Sequence, residues 1–263
     1  MHHPAVTRLY KYTALNARAI AALATEKLWF ANPSTFNDPF DCMIPNHAVV
    51  HLERLQGRAT KQRATAARPR KGESAEIARL IRGLHDRVLS GASAKDIALA
   101  QKFVDGHGAL QSSINTFGVL SLSATPKSIL MWSHYGAQHA GICLEFERTA
   151  TNKLGTDALP VVYSRLRDPD PDPVLAVPPN RFFMKYSGWR YEREWRVLES
   201  TAGRHDFPGR LLSVICGAKM PGPEREALAR IVAGLNASRT KQITVRVAAM
   251  KPTTYELVIR PYQ

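Results

Sequence analysis

The chain has 263 residues, 44% of them hydrophobic, and carries 36 Lys and Arg against 22 Asp and Glu, a formal charge of +14 at neutral pH. That is enough material for one sizeable core, and a protein this basic attracts phosphate backbones or other anionic surfaces. No apolar run approaches the ~18–20 residues that a membrane helix needs, and the N-terminus, MHHPAVTRLYKY, lacks the apolar stretch of a secretory signal.

In chain order, residues 8–13 read as a strand given bulk by Leu9, Tyr10 and Tyr12, and Asn16 then caps a short Ala-rich helix. KLWFA at 27–31 is a second short strand, closed by the turn chemistry of Asn32-Pro33-Ser34, and 35–46 is irregular with two prolines. A basic stretch follows. Residues 54–87 hold ten Lys and Arg against three acids, half of the chain's excess, and the part near 54–73 has no apolar periodicity, as expected of a mobile basic loop. Arg63, Arg68, Arg70 and Lys71 are its candidate nucleic-acid contacts. The spacing of Ile77, Leu80, Ile81, Leu84 and Val88 predicts a helix, and Ser93 with Asp96 opens another, making a helical insertion over 74–111.

Beyond Gly118 the pattern turns to strands: GVLSLSA, GICLEFE, LPVVYS, 192–199 and 211–216. KSILMWSHYGAQHA between the first two reads as a helix with a buried bulky face, 168–180 as a proline-rich loop, and Pro223 opens a helix through LARIVAGLN. ITVRV and YELVIRP close the chain as an antiparallel pair. Helices early and strands late predict a single α+β domain over 1–263, with a mixed, mostly antiparallel sheet and helices packed on it. Cys42, Cys143 and Cys216 lie far apart without CxxC spacing, which points to free thiols in a reducing cytoplasm.

Three constellations carry candidate chemistry. Asn37, Asp38 and Asp41 crowd one irregular segment, as a binding loop or as turn-forming side chains. His134 and Tyr135 follow Met131 and Trp132, and each is capable of acid–base or stacking roles, whereas His134 and His139 are five apart and fit a metal-binding helix face poorly. Strict alternation through WRYEREWR puts Glu192, Glu194 and Arg196 on one strand face, with Arg193 and Trp195 on the other. Two carboxylates so placed are solvated, paired with an arginine or turned to a cleft. No phosphate-binding GxxxxGKT, no GxGxxG and no GxSxG is present.

LYKY, LWFANPSTFNDPFD, LSLSATPKSILMWSHYGAQHAGICLEF, VVYS and WRYEREWR resemble a widespread bacterial family known only as a domain of unknown function, from about Leu9 to Arg196. A looser likeness is to the ADP-ribosyltransferases, especially the DarT type that modifies DNA: LYKYTALNARAI is similar to their opening strand and helix, with Lys11 beside Thr13 where a His often stands, LSLS offers Ser121 and Ser123, and EREWRVL is similar to their late ExE strand. What this second resemblance implies is a split sheet, Glu194 as the catalytic carboxylate with Lys11 and Tyr135 beside it, and NAD as substrate without a metal, held by Tyr12, Thr13, Asn37, Asp38, Ser121, Ser123 and His134. Tyr12, Trp29 or Tyr135 would supply an aromatic face for nicotinamide. The acceptor would be nucleic acid or protein, the context that of a toxin or defence protein with an antitoxin or defence partner. Two other readings stay open, a nuclease using Asp38, Asp41, His134 and Glu194 and a basic nucleic-acid-binding module without catalysis.

Overall fold

The computed structural model describes residues 3–43, 108–109, 111–165 and 179–262. The basic loop, the helices expected over 74–104 and most of the proline-rich loop lie outside them. Contacts divide the chain into two compact units, one of Met1–Thr35, Phe117–Tyr163 and Ser187–Gln263, the other of Phe36–Thr116 and Ser164–Tyr186.

The first unit is α+β. Its elements are β1 (Arg8–Thr13), α1 (Ala17–Thr25), β2 (Lys27–Phe30), β3 (Gly118–Ser123), α2 (Ile129–Tyr135), β4 (Ile142–Glu147), α3 (Lys153–Thr156) and β5 (Leu159–Pro160). After β6 (Val162–Ser164), which spans the unit boundary, and β7 (Met184–Tyr186) of the second unit come β8 (Glu194–Glu199), β9 (Gly203–Asp206), β10 (Leu211–Cys216), α4 (Gly222–Asn236), β11 (Thr244–Met250) and β12 (Leu257–Pro261). Eight strands form one sheet in the order β12-β11-β10-β4-β1-β3-β8-β5, antiparallel except for β10 and β11. β2 and β9 form a separate antiparallel ribbon.

Alternation along the strands gives the sheet two buried faces. Leu9, Leu120, Leu122, Leu144, Phe146, Trp195, Val197 and Val214 point to one, where Ala19 and Leu23 of α1, Leu228 and Val232 of α4, and Leu28 and Phe30 of β2 complete the core. Tyr10, Tyr12, Cys143 and Ile215 point to the other, under Met131 and Trp132 of α2. As expected, Asn16 caps α1, accepting a hydrogen bond from the Ala19 N–H, and β11 and β12 pair antiparallel. All three cysteines are free and buried.

Two expectations need correction. The helix after Lys127 stops at Tyr135, because Ala137, Gln138 and His139 take positive φ in succession (48, 54 and 72°). This left-handed turn is held at both ends: the His139 N–H donates to the Trp132 carbonyl at 3.2 Å, and the His139 carbonyl accepts from the Lys219 N–H at 2.9 Å. Gly217 makes room for it, since a Cβ there would stand 2.1 Å from the His139 carbonyl oxygen. The second correction concerns β8. It begins at Glu194, and Glu192 ends a 3-10 helix, Ser187–Glu192, because Arg193 between them has a φ of 47°. The left-handed residue breaks the alternation that the sequence pattern assumes.

Each non-glycine residue in the left-handed region costs roughly 1–2 kcal/mol. Ala137→Gly or Gln138→Gly is therefore expected to stabilise the protein by about 0.5–1 kcal/mol, part of the relief being offset by glycine's greater chain entropy. Gly217→Ala should destabilise it. Thermal melts of the three variants check this, and a lower melting temperature for both glycine variants would contradict the strained turn.

Candidate active site

The first residues of β8 carry charge into the interior. Arg196, 0% exposed, grips Glu194 with two parallel hydrogen bonds, Nε to Oε1 at 2.7 Å and Nη2 to Oε2 at 3.0 Å. The two residues are two apart on one strand and so share a face. The Glu194 N–H donates to the Tyr163 hydroxyl at 2.8 Å, while Trp195 points the other way into the core, with the Arg148 guanidinium 4.8 Å above its ring. Trp195 thus anchors the strand that presents Glu194.

Glu192 reaches the same region from the 3-10 helix. It is buried, and its carboxylate accepts from the Tyr135 hydroxyl at 2.7 Å. Its carbonyl accepts from the Ser123 hydroxyl, also at 2.7 Å. A second tie between the 3-10 helix and α2 joins the Tyr191 hydroxyl to His134 Nδ1 at 3.1 Å.

The ladder nearly lapses beside this site. β1 pairs with β4 over six residues and β3 with β8 over six, yet β1 meets β3 at one pair, Tyr10 with Ser123. There the Lys11 ammonium donates to the Ser121 carbonyl at 2.9 Å, serving a main-chain acceptor that a longer ladder would have used. Burial pushes the Lys11 ammonium below its ordinary pKa, against the opposing pull of Glu194 and then Glu192.

Register continues the polar line across the sheet. Ser213, Glu145, Tyr10, Ser123 and Glu194 stand side by side on one face of β10, β4, β1, β3 and β8. Glu145 is 1% exposed. It accepts from Arg8 at 2.7 Å, Tyr10 at 3.3 Å and Arg246 at 3.3 Å, and from the Ser213 hydroxyl. Desolvation works against its charge, but the Ser213 and Arg8 hydrogen bonds and the two guanidinium charges hold it below the usual carboxylate range. Burial, then Glu145, pushes the Tyr10 phenol up to about 12. Sequence reading missed this second carboxylate, although a glutamate inside GICLEFE, a strand otherwise apolar through Phe146, was a usable signal.

The structure brings Lys11, Ser121, Ser123, Tyr135 and Glu194 to the β1–β3–β8 region. Ser121 makes no side-chain hydrogen bond to any described residue and lies half-buried, so its hydroxyl is available. Ser123 is fully occupied, donating to Glu192 and accepting from the Thr125 N–H. Tyr12 is a core residue, its hydroxyl on the Thr125 carbonyl at 2.8 Å and its ring edge-on to Trp132. Thr13 ends β1 with its hydroxyl turned to the next carbonyl, and His134 stands at the end of α2. Asn37 and Asp38 belong to the second unit, where Asp38 accepts from the Phe40 N–H in an Asx turn and Asp41 pairs with Lys185 at 3.5 Å. Arg63, Arg68, Arg70 and Lys71 lie outside the described residues. His139 turns to Ser133, away from His134, and among the described residues no group of His, Cys, Asp and Glu is arranged to hold a metal.

Residues 131–197 match the family model DUF2971, a protein of unknown function. No curated protein and no solved structure matches the chain. The DUF2971 span begins on α2 and ends on β8, and so holds Tyr135, Glu145, Glu192, Glu194 and Arg196 together.

Within the DUF2971 span, Glu145 makes a pH-dependent contribution. Its folded pKa is depressed, so its stabilisation is present above the unfolded carboxylate value of about 4.3 and is lost as pH falls through the folded value. Glu145→Gln is expected to lower stability by roughly 1–3 kcal/mol at pH 7, because Arg8 and Arg246 lose a charged acceptor but retain contact with water. The deficit should shrink below about pH 4. Denaturant melts from pH 3 to 7 check this, and a pH-independent deficit would mean that the ionised carboxylate contributes nothing.

Proposed function

We propose that the chain is an ADP-ribosyltransferase-like enzyme that uses NAD and modifies a nucleic-acid acceptor in the cytoplasm, as a toxin or defence protein does. One observation carries the reading: an interior carboxylate, Glu194, held by Arg196 at the start of β8, beside a strand pair that meets at a single residue pair. In such a reaction the bond between nicotinamide nitrogen and ribose C1′ breaks, and its electron pair leaves with nicotinamide. The ribosyl cation left behind is taken by a nucleophile on the acceptor, whose proton passes to solvent or a nearby base.

An ionised carboxylate beside the ribose stabilises that cation, most effectively in a dry site. Arg196 fixes the plane of the Glu194 carboxylate with its two parallel hydrogen bonds. In this reading the Ser121 hydroxyl, which no described side chain engages, would hold a ribose hydroxyl, and Tyr135, fixed by Glu192, would present its ring to nicotinamide. The Lys11 ammonium, half-buried between the strands, adds a cationic group suited to an anionic part of the dinucleotide. The net charge of +14 favours a nucleic acid as acceptor, and equally a binding module without catalysis. Consumption of NAD separates the two.

The test is transfer or hydrolysis of labelled NAD with mixed DNA and RNA acceptors. Glu194→Gln is expected to lower the rate by roughly 10²–10³-fold. That variant also takes one charged partner from the buried Arg196, and breaking a buried pair outright destabilises by about 3–5 kcal/mol. Adding Arg196→Met should recover the melting temperature and leave activity lost. A wild-type protein that consumes no NAD with any acceptor, or a double variant that regains turnover along with stability, would overturn the reading.

A further inference from the structure

The β2–β9 ribbon carries an unusual outward face. Trp29, in the middle of β2, is 50% exposed although its neighbours Leu28 and Phe30 are core residues. Large aromatic side chains are normally used for burial, and one left half in water is available as a contact surface. The surroundings of this tryptophan are cationic. Its cross-strand partner on the same face is Arg204, and the Arg18 guanidinium of α1 lies over one face of the ring, 5.9 Å from its centre. Lys27, two residues along the strand, faces Asp206 across the ribbon, and the two form a solvent-exposed pair at 3.5 Å. Asp206 is therefore matched by Lys27, and Arg18 and Arg204 beside the tryptophan form no salt bridge with any described residue.

A half-exposed indole with one guanidinium over its ring and another beside it, neither in a salt bridge with a described residue, has the chemistry of a nucleobase platform on its remaining face. Every base has a π-face that an exposed indole can stack against, and guanidiniums next to the indole reach the neighbouring phosphates. A base inside a duplex has both faces covered, so such a platform takes an unpaired one. An acidic peptide would satisfy the two arginines but leave the indole face unused.

We infer that Trp29, with Arg18 and Arg204, forms a stacking site for single-stranded nucleic acid. The inference rests on the nucleic-acid acceptor of the proposed function but not on its NAD chemistry, and it gives that acceptor a strandedness and a place of contact. It also moves Trp29 from the nicotinamide-stacking role that the sequence allowed to the acceptor side.

The test is fluorescence anisotropy of an end-labelled single-stranded DNA and its RNA counterpart titrated with the full chain, without NAD, against the same DNA as a duplex. Trp29→Ala is expected to weaken single-strand binding by about ten-fold or more, the usual loss for one stacked base, and Trp29→Phe to restore most of it. The duplex affinity should barely change. Arg18→Ser and Arg204→Ser should each flatten the salt dependence of single-strand binding by about 0.7 in the log–log slope, one phosphate contact apiece. Wild-type protein that binds no single strand, a Trp29→Ala variant that binds as the wild type does, or equal losses on single strand and duplex would each overturn the inference. Should Trp29→Ala melt early, the phenylalanine and arginine variants carry the same comparison on folded protein. Glu194→Gln with Arg196→Met should bind oligonucleotide normally, so a failure of the NAD chemistry and a failure of the platform give different results.

Discussion

Charge placed inside the sheet is the constraint around which the first unit is arranged. Moving a carboxylate and a guanidinium out of water costs several kcal/mol per ion, and their attraction offsets this only where the geometry is good and the remaining polar atoms are satisfied. Glu194 and Arg196 meet that condition with two parallel bonds on adjacent positions of one strand face. Glu145 meets it differently, with four donors drawn from β1, β10 and β11. A well-packed apolar pair would serve stability as well as either. What two charged groups add in such a place is a fixed orientation and an electrostatic field, properties that chemistry uses and packing does not.

The approach of the chain to Glu194 has the same character. A left-handed residue, Arg193, separates it from Glu192, and three more such residues follow the short helix that carries Tyr135. The two segments are tied together by the Tyr135–Glu192 and Tyr191–His134 hydrogen bonds. Backbone strain on both segments that frame one carboxylate is the pattern expected where position matters more than local comfort. The near-lapse between β1 and β3 belongs with it: a ladder reduced to one pair leaves main-chain acceptors to be served by a side chain, and Lys11 serves one of them.

Much of the architecture was legible in the sequence because it rests on local signals. Asn16 at the start of α1, the run from Leu211 to Cys216, the Pro-led α4 and the final hairpin follow directly from capping, β-branching and alternation. The α+β class followed from the order of those elements. The departures arose where tertiary contacts overrode local preference. Nothing in GAQHAG announces three successive left-handed residues, since they are imposed by the Trp132 and Lys219 main chain on either side. Alternation through YEREWR failed at Arg193 for the same kind of reason, although Glu194, Arg196 and Trp195 fell on the faces expected of them. β9 was not foreseen, because GRHD carries no apolar pattern and becomes a strand only by pairing with β2. Among the candidate site residues, Lys11, Ser121 and Glu194, which the order of motifs along the chain suggests, lie together at the β1–β3–β8 region. Ser123, from the same LSLS motif as Ser121, and Tyr12 are committed to internal hydrogen bonds, and Glu145 escapes notice because it sits in what reads as an ordinary buried strand.

On the proposed NAD chemistry, the carboxylate of Glu194 faces the ribose of the dinucleotide at the β1–β3–β8 region. The most direct measurement is a crystal structure of the full chain with a hydrolysis-resistant NAD analogue. The expected result is the nicotinamide ribose within hydrogen-bond distance of Glu194, about 3.2 Å or less, with the Ser121 hydroxyl turned to the same sugar. An analogue that fails to bind at saturating concentration, or that binds with its ribose away from Glu194 while the Glu194–Arg196 pair stays closed to it, would contradict the account.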